Sequence, residues 1–225
     1  MKYTTVYLDL DNTLLDFSAA EASAVGRLLR LYGVEAKPEY ICLYSEINRK
    51  YWELFECGKI EREEIFEGRF IEFTRAICAA ADTEKMSKDY FSLLAEGHEV
   101  LPGAIEVLQY LQAKKYTLCA TTNGVSVTQE KRIRESGLGE FFDFVFISEK
   151  TGYQKPQKEY FDYVMAHTPE KDKSKIIVVG DSVTSDISGG INFGIDTCWL
   201  NAKAKQSPVA PTYEISDIKE LIGIL

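Results

Sequence analysis

Asp9 and Asp11 lie two residues apart at the end of an apolar segment near the start of the chain. Alternation along an extended strand directs residues i and i+2 to one side, so both carboxylates can face one point. Asp181 follows another apolar segment. Because like charges about 4 Å apart repel by roughly 4 kcal/mol at an effective dielectric near 20, three such carboxylates gather only around a cation. Oxygen ligands without His or Cys favour Mg²⁺.

Paired carboxylates beside a metal ion suit phosphoryl transfer. One carboxylate attacks phosphorus to form an aspartyl-phosphate, and the other protonates the leaving oxygen and then deprotonates the hydrolytic water. Mg²⁺ offsets the repulsion between the attacking carboxylate and the phosphate. Lys155, in a Lys-Pro loop, would add a positive charge beside the phosphate. The Thr122 hydroxyl and the Asn123 and Gly124 amides would hold phosphate oxygens.

The elements that must position these residues are alternating strands and helices. Strands are predicted in five apolar segments, Tyr3–Leu10, Tyr116–Thr122, Phe144–Ser148, Lys175–Gly180 and Thr197–Leu200. Amphipathic segments near 102–114, 126–136, 157–168 and 183–193 predict helices, and the tail, Ile215–Leu225, is predicted to end in a short helix. This alternation is typical of an α/β protein with a parallel sheet covered on both faces. Ligands of such sheets bind beyond the carboxyl ends of the strands, where the polar residues above fall.

The interval between the first two strands, about Asn12 to Leu101, is much longer than one crossover, which needs only about a dozen residues. Helical patterns fill it over 19–33, 38–57, 60–81 and 87–98. We therefore expect an inserted α-helical cap between strand 1 and strand 2. The predicted division is a catalytic core of residues 1–16 and 100–225 and a helical cap of residues 17–99.

Composition excludes several classes of partner. The net charge is −9, from 26 Lys and Arg against 35 Asp and Glu without a basic cluster, which argues against polymeric nucleic acid. No apolar run of about 18 residues predicts a membrane span, and the N-terminal segment lacks a signal-peptide pattern. The five scattered cysteines predict buried or half-buried free thiols in a reducing compartment. We therefore expect a cytoplasmic protein without a membrane partner.

These residues resemble the four motifs of the haloacid dehalogenase-like superfamily, in the family's order and over almost the whole chain. The segment from Asp9 to Thr13 resembles the first motif, D-x-D-x-T. Thr122-Asn123-Gly124 resembles the second motif and Lys155-Pro156 the third. The fourth motif is resembled by Gly180-Asp181 together with Asp186.

The resemblance implies a Rossmann-like core with a helical cap inserted after the first motif. It also implies that Asp9 is the nucleophile and Asp11 the acid and base. Mg²⁺ would be held by Asp9, the backbone carbonyl of Asp11 and Asp181, while Asp186 would support or ligate the metal. Because halide leaves without a proton, a carboxylate at Asp11 favours phosphatases over the dehalogenating members.

A finer resemblance is to the bacterial pyrimidine 5′-nucleotidase subgroup. It lies in three segments: Asp11–Phe17, Asn48–Ile60 in the cap, and Thr184–Trp199. It implies a small phosphorylated metabolite as substrate, namely a nucleoside 5′-monophosphate. The aromatic side chains of Phe17, Tyr51 and Trp52 would be able to stack on a base. The alternative for each is packing in the core of the cap.

Several alternatives stay open at the level of sequence. One is a phosphatase or phosphotransferase acting on sugar phosphates. Phosphonate cleavage would need a cap lysine, and Lys37, Lys50 and Lys59 all stand in polar contexts. A receiver-like signalling module also combines acidic residues with Thr and Lys, but such modules are shorter and lack a large cap. The protein is expected to be a monomer or a dimer.

Overall fold

The computed structural model of the chain describes residues 2–225. The chain divides into two units. One consists of Met1–Asp16 and Glu99–Leu225, and the other of Phe17–His98. We call them the core unit and the helical unit.

The core unit is built on a six-stranded sheet in the order β3-β2-β1-β4-β5-β6, and every pairing is parallel. The strands are β1 (Thr5–Leu8), β2 (Thr117–Thr122), β3 (Phe144–Ile147), β4 (Ile176–Gly180), β5 (Asp196–Leu200) and β6 (Tyr213–Ile215). The predicted Rossmann-like parallel sheet with a helical insertion between the first two strands is confirmed.

Nine α-helices accompany the sheet among residues 2–225. Those of the helical unit are α1 (Phe17–Leu31), α2 (Pro38–Glu56), α3 (Arg62–Ala76) and α4 (Thr83–Leu94). Those of the core unit are α5 (Ala104–Ala113), α6 (Ser126–Glu135), α7 (Ser148–Thr151), α8 (Lys158–Ala166) and α9 (Ser188–Phe193).

The sheet buries apolar residues on both faces because alternate side chains of a strand point in opposite directions. In β1, Val6 and Leu8 join an apolar cluster that includes Val107 of α5. Tyr7, between them, joins a second cluster that includes Phe161 of α8. Burial on both faces explains why the strands read as continuous apolar segments.

The strand order reverses between β1 and β4, which are adjacent although most of the chain separates them. Leu8 at the end of β1 pairs with Ala120 of β2 on one side and with Val179 of β4 on the other. In sheets of this kind, the crevice beyond the carboxyl ends at such a reversal is the usual ligand site. The residues that follow β1 and β4 therefore stand at this crevice.

The C-terminal third differs in detail from the prediction. The short helix predicted at the end of the tail Ile215–Leu225 is a 3₁₀ helix at Ile218–Gly223, whose start is capped by the Asp217 side chain, and the strand β6 before it was not predicted. The segment predicted as one helix over 183–193 contains a π-helical turn, Val183–Ile187, before α9 begins. A three-residue strand is too short to show the alternation of apolar and polar residues in the sequence. A π-helical turn cannot be distinguished from an α-helix by its residue types.

The helical unit packs four helices around an apolar cluster that includes Leu28, Tyr44, Phe70 and Tyr90. Its last helix begins at Thr83 rather than near residue 87, because the Asp82 side chain accepts a hydrogen bond from the Lys85 N–H at 3.0 Å. The helix predicted over 60–81 ends at Ala76.

The cysteines differ from the expectation of buried or half-buried thiols. Cys119 and Cys198 are buried, whereas Cys42, Cys57 and Cys78 are exposed. Within residues 2–225, none of the helices combines the length and apolarity that crossing a membrane requires.

Gly190 marks a close approach of α9 to the sheet. A Cβ atom there would lie 2.5 Å from Cγ1 of Val178 and 2.6 Å from Cγ2 of Thr197, both of which belong to strands. We expect Gly190→Ala to lower the free energy of unfolding by about 1–3 kcal/mol, as overpacking does in other cores. Urea denaturation measures this change. Gly26→Ala in α1 is the matched control.

The nearest atom to a Cβ at Gly26 would be 3.6 Å away, an ordinary contact. Because Ala is the better helix former, that control should be unchanged or up to about 1 kcal/mol more stable. An equal loss of stability in both variants would contradict the packing explanation.

Candidate functional site

Four chain segments bring polar side chains to the carboxyl edge of the sheet. Asp9 follows β1, and its N–H donates to the Val179 carbonyl of β4 at 2.9 Å. Thr122 ends β2, Lys155 lies in the loop before α8, and Asp181 directly follows β4. The sequence-predicted residues of the core unit are therefore brought together at the strand reversal.

Lys155 lies at the centre of this group, with its side chain only 1% exposed. Its Nζ donates to Oδ1 of Asp9 at 2.7 Å, to Oδ1 of Asp186 at 2.6 Å and to the Thr121 carbonyl at 2.7 Å. An ammonium group has three hydrogens, so all three are used in these bonds. The lysine therefore holds two carboxylates beside one another and offsets their charge.

Asn123 positions Lys155 through its backbone. The side-chain amide of Asn123 donates to the Lys155 carbonyl at 2.8 Å and accepts from the Lys155 N–H at 2.9 Å. The side chain of Asn123 thus fixes the loop that carries the lysine, and the phosphate contact predicted for the Asn123 amide stays a prediction.

Three carboxylates form a compact cluster. Asp9, Asp181 and Asp186 each offer one oxygen, and these three oxygens lie within 4.8 Å of one another. The cluster expected from strand alternation was Asp9, Asp11 and Asp181, so Asp186 takes the place of the Asp11 side chain. Carboxylate oxygens without nitrogen or sulfur donors are the set that hard divalent cations such as Mg²⁺ prefer.

Asp186 reaches the cluster from the π-helical turn. Its Oδ1 accepts from Lys155, and its Oδ2 accepts from the Ser182 N–H at 3.2 Å. Gly180 makes room for it, because a Cβ atom at Gly180 would lie 2.1 Å from Oδ2 of Asp186. The neighbouring strand β5 fixes Asp181 in turn, since Trp199 Nε1 donates to its backbone carbonyl at 3.0 Å.

The Asp11 carboxylate faces helix α6. Oδ2 of Asp11 accepts from Gln129 Nε2 at 2.8 Å, and Oδ1 accepts from Arg132 Nη1 in a short ion pair. Strand alternation does not apply here because β1 ends at Leu8 and the chain then turns, with Asn12 at a φ of 59°. The resemblance implied that Asp11 binds the metal through its backbone carbonyl and not through its side chain.

Thr122 accepts two hydrogen bonds on its hydroxyl oxygen, from the Gly124 N–H at 3.0 Å and from Gln129 Nε2 at 2.8 Å. A hydroxyl with both acceptor positions used keeps its hydrogen for a third partner. Thr122 is therefore arranged as a donor, as a phosphate-binding residue must be. The Gly124 N–H, which was predicted to bind phosphate directly, donates to this hydroxyl.

The three aromatic residues considered for stacking on a base all belong to the helical unit and are partly buried. Phe17 and Tyr51 pack against its apolar cluster, as the alternative interpretation predicts. Trp52 is absent from that cluster and meets Phe55 edge-on, with ring centroids 5.9 Å apart.

Burial and mutual repulsion shift the proton affinities of these groups. Burial raises the pKa of Asp9 well above its usual value; Lys155 opposes this shift and the other carboxylates add to it. Burial, followed by the charge of Asp186, raises the pKa of Asp181 to about 7. Burial lowers the pKa of Lys155, but Asp186 and Asp9 outweigh this effect, so the net pKa is raised and the ammonium is retained.

Sequence reasoning missed three residues that contact the site. Thr13, part of the segment that resembles the first motif but given no role of its own, donates to Oδ2 of Asp9 at 3.1 Å. Gln129 and Arg132 were not considered. One signal was present: both residues lie on the same face of a predicted helix as Ile133, where an apolar side chain is expected.

Comparisons with known proteins agree with this geometry. A family model for haloacid dehalogenase-like hydrolases matches residues 3–194. YfnB of Bacillus subtilis is 41% identical over 100% of this chain and 96% of that protein. Its crystal structure, described as bound to magnesium, superimposes with a TM-score of 0.94 over 100% of this chain and 99% of that chain. Pyrimidine 5′-nucleotidases PynA of Streptococcus pneumoniae and YjjG of Escherichia coli are 35% and 33% identical over 100% of this chain and 96% and 99% of theirs.

The raised pKa of Asp181 predicts a pH dependence of stability in the metal-free protein. Its pKa is 3.8 in an unfolded chain and about 7 in the folded protein. Between these values the folded state binds more protons, so the contribution of Asp181 to the free energy of unfolding falls as the pH rises from about 4 to about 7. Urea denaturation at several pH values in excess EDTA measures this slope. Asp181→Asn should flatten it, and an identical slope in both proteins would contradict the assignment.

Proposed function

This chain belongs to the haloacid dehalogenase-like hydrolase family, and on that premise we propose that it hydrolyses phosphoric monoesters of small metabolites through a phosphorylated Asp9. The substrate class that we propose is the nucleoside 5′-monophosphates. The observation that carries the proposal is the Lys155 ammonium between Asp9 and Asp186 at the strand reversal.

Asp9 is the proposed nucleophile because it directly follows β1 and its carboxylate is held beside Lys155. Lys155 binds one of its oxygens and Thr13 the other, which fixes the plane of the carboxylate. One carboxylate oxygen attacks the phosphorus, and the bond between phosphorus and the ester oxygen breaks. The Thr122 hydroxyl would donate to a phosphate oxygen and hold the phosphoryl group during this step.

Asp11 is the proposed acid and base. It gives a proton to the ester oxygen as the alcohol leaves, and it then takes a proton from the water that attacks the aspartyl-phosphate. Inorganic phosphate is released and the Asp9 carboxylate is restored. The side chain of Asp11 is 26% exposed, so it is the accessible carboxylate of the pair, whereas that of Asp9 is 10% exposed.

The oxygen donors of this site fit Mg²⁺. The carboxylates of Asp9, Asp181 and Asp186 would hold it. The backbone carbonyl of Asp11 would be a further ligand, as the resemblance implies. When bound, the ion offsets the negative charge of the nucleophile and the phosphate. The magnesium-bound crystal structure of the Bacillus subtilis relative supports this proposal.

The two pyrimidine 5′-nucleotidases support the choice of a nucleotide as substrate. Trp52 is the aromatic residue that we propose for recognition of the leaving nucleoside, because Phe17 and Tyr51 are used in packing. Sugar phosphates are the second candidate, since more distant relatives include an N-acylneuraminate-9-phosphatase, 25% identical over 98% of this chain.

The covalent mechanism predicts that Asp9→Asn abolishes turnover. An amide is a far weaker nucleophile than a carboxylate, so the rate of phosphate release from p-nitrophenyl phosphate with Mg²⁺ should fall at least about 10³-fold. Asp162→Asn, which removes an exposed carboxylate of α8, is the control and should keep the wild-type rate. Activity retained in Asp9→Asn, with a normal circular dichroism spectrum, would refute the aspartyl-phosphate.

The nucleotidase assignment predicts a preference that depends on Trp52. We expect kcat/KM for UMP and dUMP to exceed that for ribose 5-phosphate by about tenfold or more, the equivalent of about 1.4 kcal/mol. Trp52→Leu should reduce this preference and leave p-nitrophenyl phosphate hydrolysis unchanged. Steady-state phosphate release measures both. If sugar phosphates are hydrolysed as fast as the nucleotides, the nucleotidase assignment fails and the phosphatase assignment stands.

A further inference from the structure

Helix α6 presents polar side chains where a core helix normally presents apolar ones. Gln129 and Arg132, three residues apart and so on the same face, are each only 1% exposed. Burial of a glutamine amide and a guanidinium is costly unless they are hydrogen-bonded. These side chains therefore need partners strong enough to keep them in the interior.

The partners of Gln129 and Arg132 are residues of the catalytic site. The two amide hydrogens of Gln129 go to Oδ2 of Asp11 and to the Thr122 hydroxyl, both at 2.8 Å. Its amide oxygen accepts from Arg132 Nη1 at 3.1 Å, and the same Nη1 donates to Oδ1 of Asp11. The network fixes the orientation of the amide, because only one assignment of its oxygen and nitrogen satisfies all three bonds.

Gly124 is part of the same arrangement. A Cβ atom there would lie 2.7 Å from Cγ of Gln129 and 2.8 Å from its Nε2. The glycine therefore leaves the space that the Gln129 side chain occupies. The loop after β2 and helix α6 therefore pack together around the Gln129 side chain.

We propose that Gln129 and Arg132 are positioning residues that hold the Asp11 carboxylate at a fixed place relative to the Thr122 hydroxyl. This inference rests on the proposed function, in which Asp11 transfers protons and Thr122 holds the phosphoryl group. Because both oxygens of Asp11 are bound by α6, the carboxylate cannot rotate without breaking a hydrogen bond. Helix α6 thereby sets the distance between the Asp11 carboxylate and the phosphoryl group, both when the aspartyl-phosphate forms and when it is hydrolysed.

The test compares two esters that differ in their need for a proton. Phenyl phosphate releases a basic phenolate that benefits from protonation, whereas p-nitrophenyl phosphate releases a weakly basic anion that does not. Arg132→Met and Gln129→Met should lower kcat/KM for phenyl phosphate on the order of 10²-fold, since a displaced acid loses much of its effect. The first turnover of p-nitrophenyl phosphate should change little in stopped-flow measurements.

Later turnovers of p-nitrophenyl phosphate should be slowed, because hydrolysis of the aspartyl-phosphate still uses Asp11 as the base. A burst of p-nitrophenol followed by a slow phase is therefore expected in both variants. Arg132→Lys, which keeps the positive charge but replaces the planar guanidinium with a single ammonium group, should recover part of the rate. Arg134→Met is the matched control on the same helix, because that side chain is 70% exposed, and it should behave as wild type.

A double-mutant cycle separates positioning from a general structural role. In an Asp11→Asn background, Arg132→Met should add almost nothing to the loss, since both changes act through one carboxylate. Equal losses for the two esters, additive losses in the cycle, or unchanged rates in both variants would each overturn the proposal.

Crystal structures of Arg132→Met and Gln129→Met provide a readout that does not depend on activity. The Asp11 carboxylate should move away from its wild-type position in both, and an unmoved carboxylate would overturn the proposal. If the wild-type protein released no phosphate from either ester, the proposed function would be overturned instead, and the crystal structures would still decide the positioning.

Discussion

The ion pair of Lys155 with Asp9 and Asp186 is the interaction on which the rest of the site depends. Two buried carboxylates and a third close by would repel one another if no cation were present. The lysine is held by Asn123, Asp186 is held by the π-helical turn and the space at Gly180, and Asp9 is held by Thr13. Breaking such a pair by removing one partner typically costs about 3–5 kcal/mol, so chemistry and stability are linked at this point. The crowded negative charge is also what gives the cluster its attraction for a divalent cation.

Much of this site follows from rules that act over a few residues. The carboxyl ends of parallel strands meet at one edge of the sheet, so the positions of the apolar segments were enough to predict that Asp9, Thr122 and Asp181 lie together. The four motifs indicated the family, and the family model and the relatives confirm it. The side-chain direction of Asp11 was not predictable in this way, because it lies past the end of β1, where the alternation of a strand no longer applies. Strand β6 was missed for a related reason: three residues carry too little pattern, and only pairing with β5 reveals them.

The contributions of α6 show a second limit of sequence reasoning. A helix with Gln and Arg toward the core conflicts with the usual pattern of apolar residues on the buried face, and such conflicts are concentrated at functional sites. The pattern indicates that these buried polar side chains need hydrogen-bond partners, but it does not identify the residues that supply them. Here the partner, Asp11, is 118 residues from Gln129 along the chain and is brought to it only by the folding of the sheet.

The hydrogen bond from Trp199 to the Asp181 carbonyl has a spectroscopic consequence. The sequence contains two tryptophans, and each unit has one of them: Trp52 in α2 and Trp199 in β5. Trp199 is 2% exposed and touches the backbone of the acidic cluster, whereas Trp52 is partly open to solvent. Intrinsic fluorescence thus supplies one emitter for each half of the molecule, with a shorter emission wavelength for the buried indole. Each emitter can be isolated by replacing the other with phenylalanine, so ligand binding and melting can be followed unit by unit without an added dye.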